Sequence, residues 1–539
     1  MAKPIATNRG IPPQQRSPAV QGITPVPELA VKDLEFFKAP KGLDTLSPLS
    51  RVDREHSPSV LNLLLHKGHL LSRNALVAYG SKPSGPAEQT WLTADVEGSG
   101  NPFIPIVRYP LRWTTSRLWR FSAGDWVDTG VANHAIAPIF GVDFTSWRSA
   151  AGESLIVYST GPLAGAPGLV EYNLPTAASR ILAGSPTGKH VATFGNRVVV
   201  SAASGRLARV QWSVKDDDND WAGLGSGFED LLVATNDIYD EVMGVYPISD
   251  TTALIVREAS IWRMDVTGFF DAPFQFTLLT DQLGTTARRT IRTITGGVVF
   301  LGYDDVYIVT LASVQRIGLP ALGSVFFDPS FSALGSAGVA SSLATSHGYF
   351  DHLNRRYWLN VKNLGTFVFS FDDQGWTRMP FAFEPLAIAQ AYFQSGSGEY
   401  HGVYVTADTA SAAFSLRDDP AQTTDDDPVG GAIGLVTSIT LATGYVLVDS
   451  PLHKTDLVEI QLEYESAASQ TLSFFYFRNG AYTLFGTVTV GVTASPQVLS
   501  VRKAIAGTNL QVALSSTTLG KLKIHSMHVF AKRGALIHA

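Results

Sequence analysis

The chain has 539 residues, 45% of them hydrophobic and 16% charged against an ordinary ~25%, so it has the length for two to four domains and a large buried core. It contains no cysteine, which excludes disulfides, thiolate catalysis and Cys-ligated zinc. The net charge of −6 is uneven: residues 431–539 carry 8 Lys/Arg against 5 Asp/Glu, and an acidic body of this kind argues against tight non-specific duplex binding without hindering passage of DNA.

Residues 1–30 hold six prolines and little hydrophobic periodicity, and read as an extended arm. No apolar signal-peptide core follows Met1-Ala-Lys-Pro4. The arm and an opening segment together make a first unit, 1–70, expected to pack on the C-terminal domain. Within it, Ser57 to Leu65 fits either a short helix or a strand. From about 71 to 425 the pattern is strand, turn, strand, and long helical patterns are hard to find. Candidate strands are Leu118–Phe121, Leu155–Tyr158, Arg197–Val200, Ala253–Val256, Gly297–Phe300 and Arg356–Leu359. Their starts are separated by 37, 42, 56, 44 and 59 residues. Repeats of roughly 40–50 residues are the signature of four-stranded propeller blades, so the pattern predicts a β-propeller of about six blades with insertions in two of them.

Three turns repeat a design: Gly124-Asp-Trp126, Asn219-Asp-Trp221 and Asp373-Gln-Gly-Trp376. Asp and Gly make the turn, and the Trp is expected to pack between adjacent blades. Residues 416–430 combine charge, Pro and Gly and read as a linker. Beyond them, 431–539 alternates with period two over Val458–Tyr464, Thr471–Phe477, Leu510–Leu514 and Ile524–Phe530, which predicts a β-sandwich or platform-like domain. Gly431 to Val448 is free of charge but alternates, and reads as strand rather than membrane helix.

No residue is nominated for catalysis, cofactor binding or metal binding. The run Asp216-Asp-Asp-Asn-Asp220 invites a calcium loop, but such a loop needs Gly at its sixth position and Glu at its twelfth, where this chain has Trp221 and Gly227. Ser370-Phe-Asp-Asp-Gln-Gly-Trp376 approximates the structural turn of sialidase-type propellers, with its Gly and Trp out of register. Two carboxyls about 5–5.5 Å apart would mark a retaining glycosidase, and no local spacing nominates a pair. Gly223-Leu-Gly-Ser-Gly227 has no helix after it to hold a phosphate, and the nucleophile-elbow, zincin and P-loop patterns are absent from the sequence. His525 and His528 are three apart, so on a strand they face opposite sides. With Lys521, Lys523, Lys532, Arg533 and His538 they form a basic C-terminal rim.

Several segments together resemble the β-propeller nozzle proteins of short-tailed bacteriophages, the tail tubular protein B family. Val191 to Val200, Arg209-Val-Gln-Trp-Ser213 and Asp220-Trp221 resemble the family's Asn-Arg strand, its Arg-x-x-Trp-Ser strand and its following turn. Ile255 to Arg263, Gly297 to Tyr307, and Tyr349 to Trp358 with Gly375-Trp376 resemble its later hairpins. Gly42-Leu-Asp-Thr-Leu-Ser-Pro48 through His66-Lys-Gly-His-Leu-Leu-Ser-Arg73 resembles its opening. The resemblance spans roughly 40–430 and, more loosely, the C-terminal sandwich. It implies a virion structural protein without enzymatic activity or cofactors. Such a protein forms a homo-oligomeric ring, usually a hexamer, at the distal end of the tail. It is made in the host cytoplasm and meets an upstream adaptor ring, tail fibres or spikes, the host envelope, and double-stranded DNA passing through the lumen. The loops 214–228 and 320–345 are the candidate gates. A glycan-binding receptor module of the tail and a sialidase- or lyase-like depolymerase are the competing readings.

Overall fold

The computed structural model describes residues 31–44, 47, 51–73, 76–78, 92–98, 107–113, 117–122, 125–132, 142–149, 152–159, 161, 168–203, 205–232, 240–319, 321–323, 346–362, 364–381, 385–395, 398–407, 413–416, 439–443, 445–446, 453–478, 481–507, 510–517 and 522–536. The arm at 1–30, the linker at 417–430 and most of the second candidate gate lie outside them.

The described chain is all-β: a β-propeller and a two-sheet sandwich. The propeller has seven four-stranded antiparallel blades among the described residues, one more than the expected count of about six. The six nominated strands fall one per sheet in blades 1 to 6, which span 92–132, 143–181, 188–230, 242–280, 292–316 and 347–379. The extra blade has three strands from the end of the propeller, Pro385–Ser395, Gly398–Ala407 and Ala413–Leu416. Its fourth strand, Leu76–Ala78, comes from the beginning and pairs antiparallel with Ala413–Leu416. The first strands of blades 7 and 1 are in contact, which closes the ring.

Apolar clusters shared between adjoining blades hold the ring together. Val191, Val198 and Val200 of blade 3 pack on Trp147, Leu155 and Val157 of blade 2. On the opposite face, Val199, Val210 and Trp212 pack on Val245, Ala253 and Ile255 of blade 4. Strands buried on both faces read as continuous apolar runs, which is why Arg197-Val-Val-Val200 lacks alternation. The hairpin before it turns on Gly195 and Asn196, both at positive φ (58° and 55°), the geometry of a two-residue turn that follows strand twist.

The sandwich is built from both ends of the chain. Its core joins Leu34, Phe36, Val60, Leu63 and Leu65 to Leu457, Ile460, Leu472, Leu514, Met527 and Val529. Residues 57–65 form strands (Ser59–Leu61 and Leu63–His66), and Ile439–Ala442 is a strand between Ser59–Leu61 and Gln511–Ser516. One sheet of the sandwich continues directly into blade 6 through the parallel pairing of Arg378 with Leu61. At this joint Gly42 pairs with Trp376, and Arg356 donates to Leu65 O at 2.8 Å. Gly68 N donates to Asp373 Oδ1 at 2.7 Å. A β-carbon on Gly375 would lie 2.0 Å from Lys41 O, and one on Gly42 2.2 Å from Trp376 O. Gly375→Ala is therefore expected to destabilise the protein by about 1–3 kcal/mol or more, because backbone must move to admit the methyl group. Calorimetric unfolding should show a lower Tm, whereas Gly68→Ala, where a β-carbon meets nothing within 4 Å, should cost only its backbone strain at φ 79°.

Candidate functional site

The inner strands of a propeller line its axis, and in blades 2, 3 and 4 these are Asp143–Arg148, Gly188–Phe194 and Val242–Pro247. A cleft of about 200 Å3 opens between them, lined by Asp143, Thr145, Thr193, Gly244 and Tyr246 among others. Gly188 seats the blade 3 strand tightly, since a β-carbon there would meet Val200 Cγ1 at 2.3 Å. That places Lys189 and His190 at the strand's first turn, near the axis. Gly244 (φ 148°) serves Tyr246, whose hydroxyl would lie 2.6 Å from a β-carbon there and instead donates to Met243 O at 3.1 Å.

Blade 5 departs from its neighbours. Its inner strand is only Arg292–Ile294, preceded by one 3-10 turn, Arg288–Thr290. From that turn Arg288 reaches blade 3, donating from one guanidinium nitrogen to Lys189 O at 2.9 Å and to His190 Nδ1 at 2.7 Å. A guanidinium can only donate, so Nδ1 accepts and the neutral imidazole carries its proton on Nε2. His190 is 2% exposed and its Nε2 has no hydrogen-bond partner. Burial and the Arg288 charge both hold the imidazole pKa below its usual value, in agreement with a neutral ring.

Asp143 faces the same group, with Oδ2 3.4 Å from His190 Nδ1 and 3.2 Å from the donating Val191 N–H. Burial works to raise its pKa, but the His190 contact, the Arg288 charge and the Val191 N–H outweigh it and keep the carboxylate ionised. Burial lowers the Arg289 pKa to about 9, with Arg288 and Arg292 adding to the depression. It lowers Arg292 as well, and raises the hydroxyls of Tyr246 and Tyr357. Lys189 and Glu241 pair at 2.5 Å beside the cluster. The inner strands of blades 2 and 3 and the turn before blade 5 are thus linked by polar side chains. Asp143, Lys189, His190, Glu241 and Arg288 were not singled out in the sequence. The available signal was three arginines, Arg288, Arg289 and Arg292, in a stretch whose neighbours Ile291 and Ile294 are buried.

The sequence candidates lie elsewhere, on the rim and at the joint. Asp220 Oδ1 caps the turn by accepting from Ala222 N and Gly223 N, and Asp217 Oδ1 accepts from Asn219 N. The loop 214–228 joins the two outer strands of blade 3 and is tied down by Arg197, which donates to Ser213 O and Gly225 O. Arg209 forks onto Asp230 with two 2.8 Å bonds and lies 3.7 Å over the Phe228 ring. Trp221 and Trp376 each pack at a junction between blades, while Trp126 packs edge-on to Phe121. Ser370 and Asp373 bond each other at the joint. In the sandwich, His525 pairs with Glu465 and His528 with Asp33. Among the described residues no helix is long and apolar enough to cross a membrane, and no cluster of His, Asp and Glu is arranged to hold a metal.

One rim carboxyl titrates in an unusual range. Asp218 reaches from blade 3 to Glu171 and Arg180 of blade 2, where Arg180 forks onto Glu171 at 3.0 and 2.7 Å and stands 3.6 Å from Asp218. Burial and the shared proton with Glu171 push Asp218 up to about 7. The folded protein then keeps a proton that the unfolded chain releases near pH 4, so this contact weakens as pH rises and its contribution is lost above pH 7. Asp218→Asn, which donates without titrating, should raise Tm relative to wild type at pH 8, by an equivalent of about 1–3 kcal/mol. The difference should shrink toward pH 5, and a pH-independent difference in melting scans would refute the shared proton.

No protein-family model matches the chain, and no curated protein matches it by sequence. Solved structures do. An exo-β-1,3-galactanase from Phanerochaete chrysosporium, with galactose, is 8% identical over 85% of this chain and 100% of its own, with a TM-score of 0.27. The calcium-binding protein regucalcin from Agrobacterium tumefaciens is 10% identical over 52% of this chain and 90% of its own, with a TM-score of 0.30. A Clostridium stercorarium CsCBM6-3 structure in complex with cellobiose is 14% identical over 26% of this chain and 82% of its own, with a TM-score of 0.13. The expectation that the chain has no enzymatic activity is withdrawn here, since the structures similar to it include exo-β-1,3-galactanases. At these identities the likeness is one of fold, and it nominates no catalytic residue.

Proposed function

We propose that this chain is a tail protein of the short-tailed-phage nozzle kind, one subunit of a ring through which the genome leaves the virion. What supports the reading is where the resembling segments meet. The opening motif (42–48 and 66–73) and the last-blade motif (349–358 and 375–376) are some 300 residues apart in sequence and contact each other at the joint between propeller and sandwich. A subunit whose two domains share one continuous sheet suits a conduit wall, which must resist force without hinging. Arg288, from the turn before blade 5, bonds His190 of blade 3 on the inner side of the propeller, and we place the passage between subunits. Negative-stain images of the purified protein should show closed rings with a central hole. Monomers alone at every concentration, with no incorporation into tails, would overturn the reading.

A second reading, carbohydrate recognition, is favoured by the axial cleft, whose Thr145 and Thr193 hydroxyls lie 3.0 Å apart beside an ionised Asp143. Thr193→Lys should fill this cleft and abolish retention of the protein on capsule or lipopolysaccharide preparations while leaving ring formation intact. Equal retention of wild type and variant in a pull-down would dismiss the cleft.

A further inference from the structure

We infer that two surfaces of this chain dock on each other between copies: the acidic, apolar rim of blades 3 and 4 of one subunit receives the basic outer edge of the next subunit's sandwich. The inference rests on the ring reading and names the contact that closes the ring.

Two loops build the rim surface. Leu224 and Phe269 are 71% and 74% exposed, and Phe270 is half exposed. The loops touch, since a β-carbon on Gly225 would lie 3.1 Å from Phe270 O and 3.3 Å from its ring. Large apolar side chains grouped in water mark an interaction site. Acids surround them: residues 214–230 carry six Asp/Glu against one Lys, and 268–281 carry two Asp and no Lys or Arg. The sandwich has the opposite character. Residues 467–539 contain seven Lys/Arg and no Asp or Glu. Within them Ala481–Val490 and Gln497–Gly507 are each the last strand of their sheet among the described residues, so one side of each backbone is open to pairing. The two strands border each other, because a β-carbon on Gly486 would lie 2.9 Å from Val501 Cγ1. Tyr482, Leu484 and Val498 are exposed along them, in company with Arg478 and Lys503. Glu459 on the neighbouring strand is buried and paired with Arg502 at 2.8 Å. Like charge keeps each surface from pairing with its own kind, and unlike charge selects the combination of rim with edge.

Position leads to the same partner. Ala481–Val490 ends the sheet that begins in blade 6, and in a ring of seven blades blade 3 stands three away from blade 6, as far as any blade can. One chain therefore cannot bring its own rim and edge together, but a second copy can. Two unlike surfaces joined head to tail generate a ring when the rotation between subunits closes.

Mass photometry of the full chain over a range of concentrations tests this. A rim variant combines Leu224→Ser with Phe269→Ser, and an edge variant combines Leu484→Ser with Val498→Ser. All four side chains are exposed, so both variants should melt close to the wild-type temperature. Each should raise the concentration of half-assembly about tenfold or more. Mixed one to one, the two should form dimers, because the intact edge of the rim variant fits the intact rim of the edge variant. They should go no further, because the other pairing has lost its apolar contacts on both sides. Raising NaCl from about 0.05 to about 0.5 M should weaken wild-type assembly as the opposed charges are screened. Rings that persist unchanged in both variants or in salt, or a mixture that stays monomeric, would overturn this pairing and leave the ring standing. Wild-type monomers at every concentration would overturn both.

Discussion

Two backbones approach at the joint more closely than any β-carbon permits, and the relation between the two domains rests on that contact. Gly42 and Gly375 stand where the opening strands meet the outer strand of blade 6. Because neither carries a side chain, the sheet passes from propeller to sandwich without a break. Buried polar groups then lock the seam. Arg356 serves Leu65 O and Asp373 receives Gly68 N. Each of these bonds joins segments distant in sequence, so the seam forms only when both domains are in place.

The propeller was legible because its blades are buried on both faces and repeat. Apolar second strands such as Arg197–Ala203 and Thr252–Arg257 announce themselves. Blade 7 did not, because its fourth strand is supplied from residues 76–78, far outside any local repeat. In the sandwich, Ala481–Val490 and Gln497–Gly507 escaped notice for the opposite reason. They are exposed along most of their length, with Tyr482, Leu484 and Val498 about half or more open to solvent, and only Phe485, Val490 and Ile505 reach the core, too few to impose a clear period of two. The axial residues were hidden by topology. Asp143, His190 and Arg288 come from three blades, and spacing within one segment cannot reveal a group assembled around an axis.

Polar chemistry in this molecule is sorted by radius. The rim uses carboxylates to shape turns and to bind arginines in forks, as at Arg209–Asp230 and Arg180–Glu171, arrangements that satisfy both partners. The axis keeps charge buried and leaves a donor unmatched at His190. Unmatched buried polar atoms occur at both radii, at Asp218 Oδ2 on the rim and at His190 Nε2 on the inner side.

The clasp formed by Leu76–Ala78 and the strands at 32–72 bears on how the chain is made. Both must wait for partners synthesised hundreds of residues later, at 413–416 and 439–536. Until then Leu34, Phe36, Leu63 and Leu65 have no core to enter, and Leu76–Ala78 has no blade to join. A chain still being made therefore has neither domain complete, and a prematurely terminated copy displays an apolar surface that protein quality control can seize.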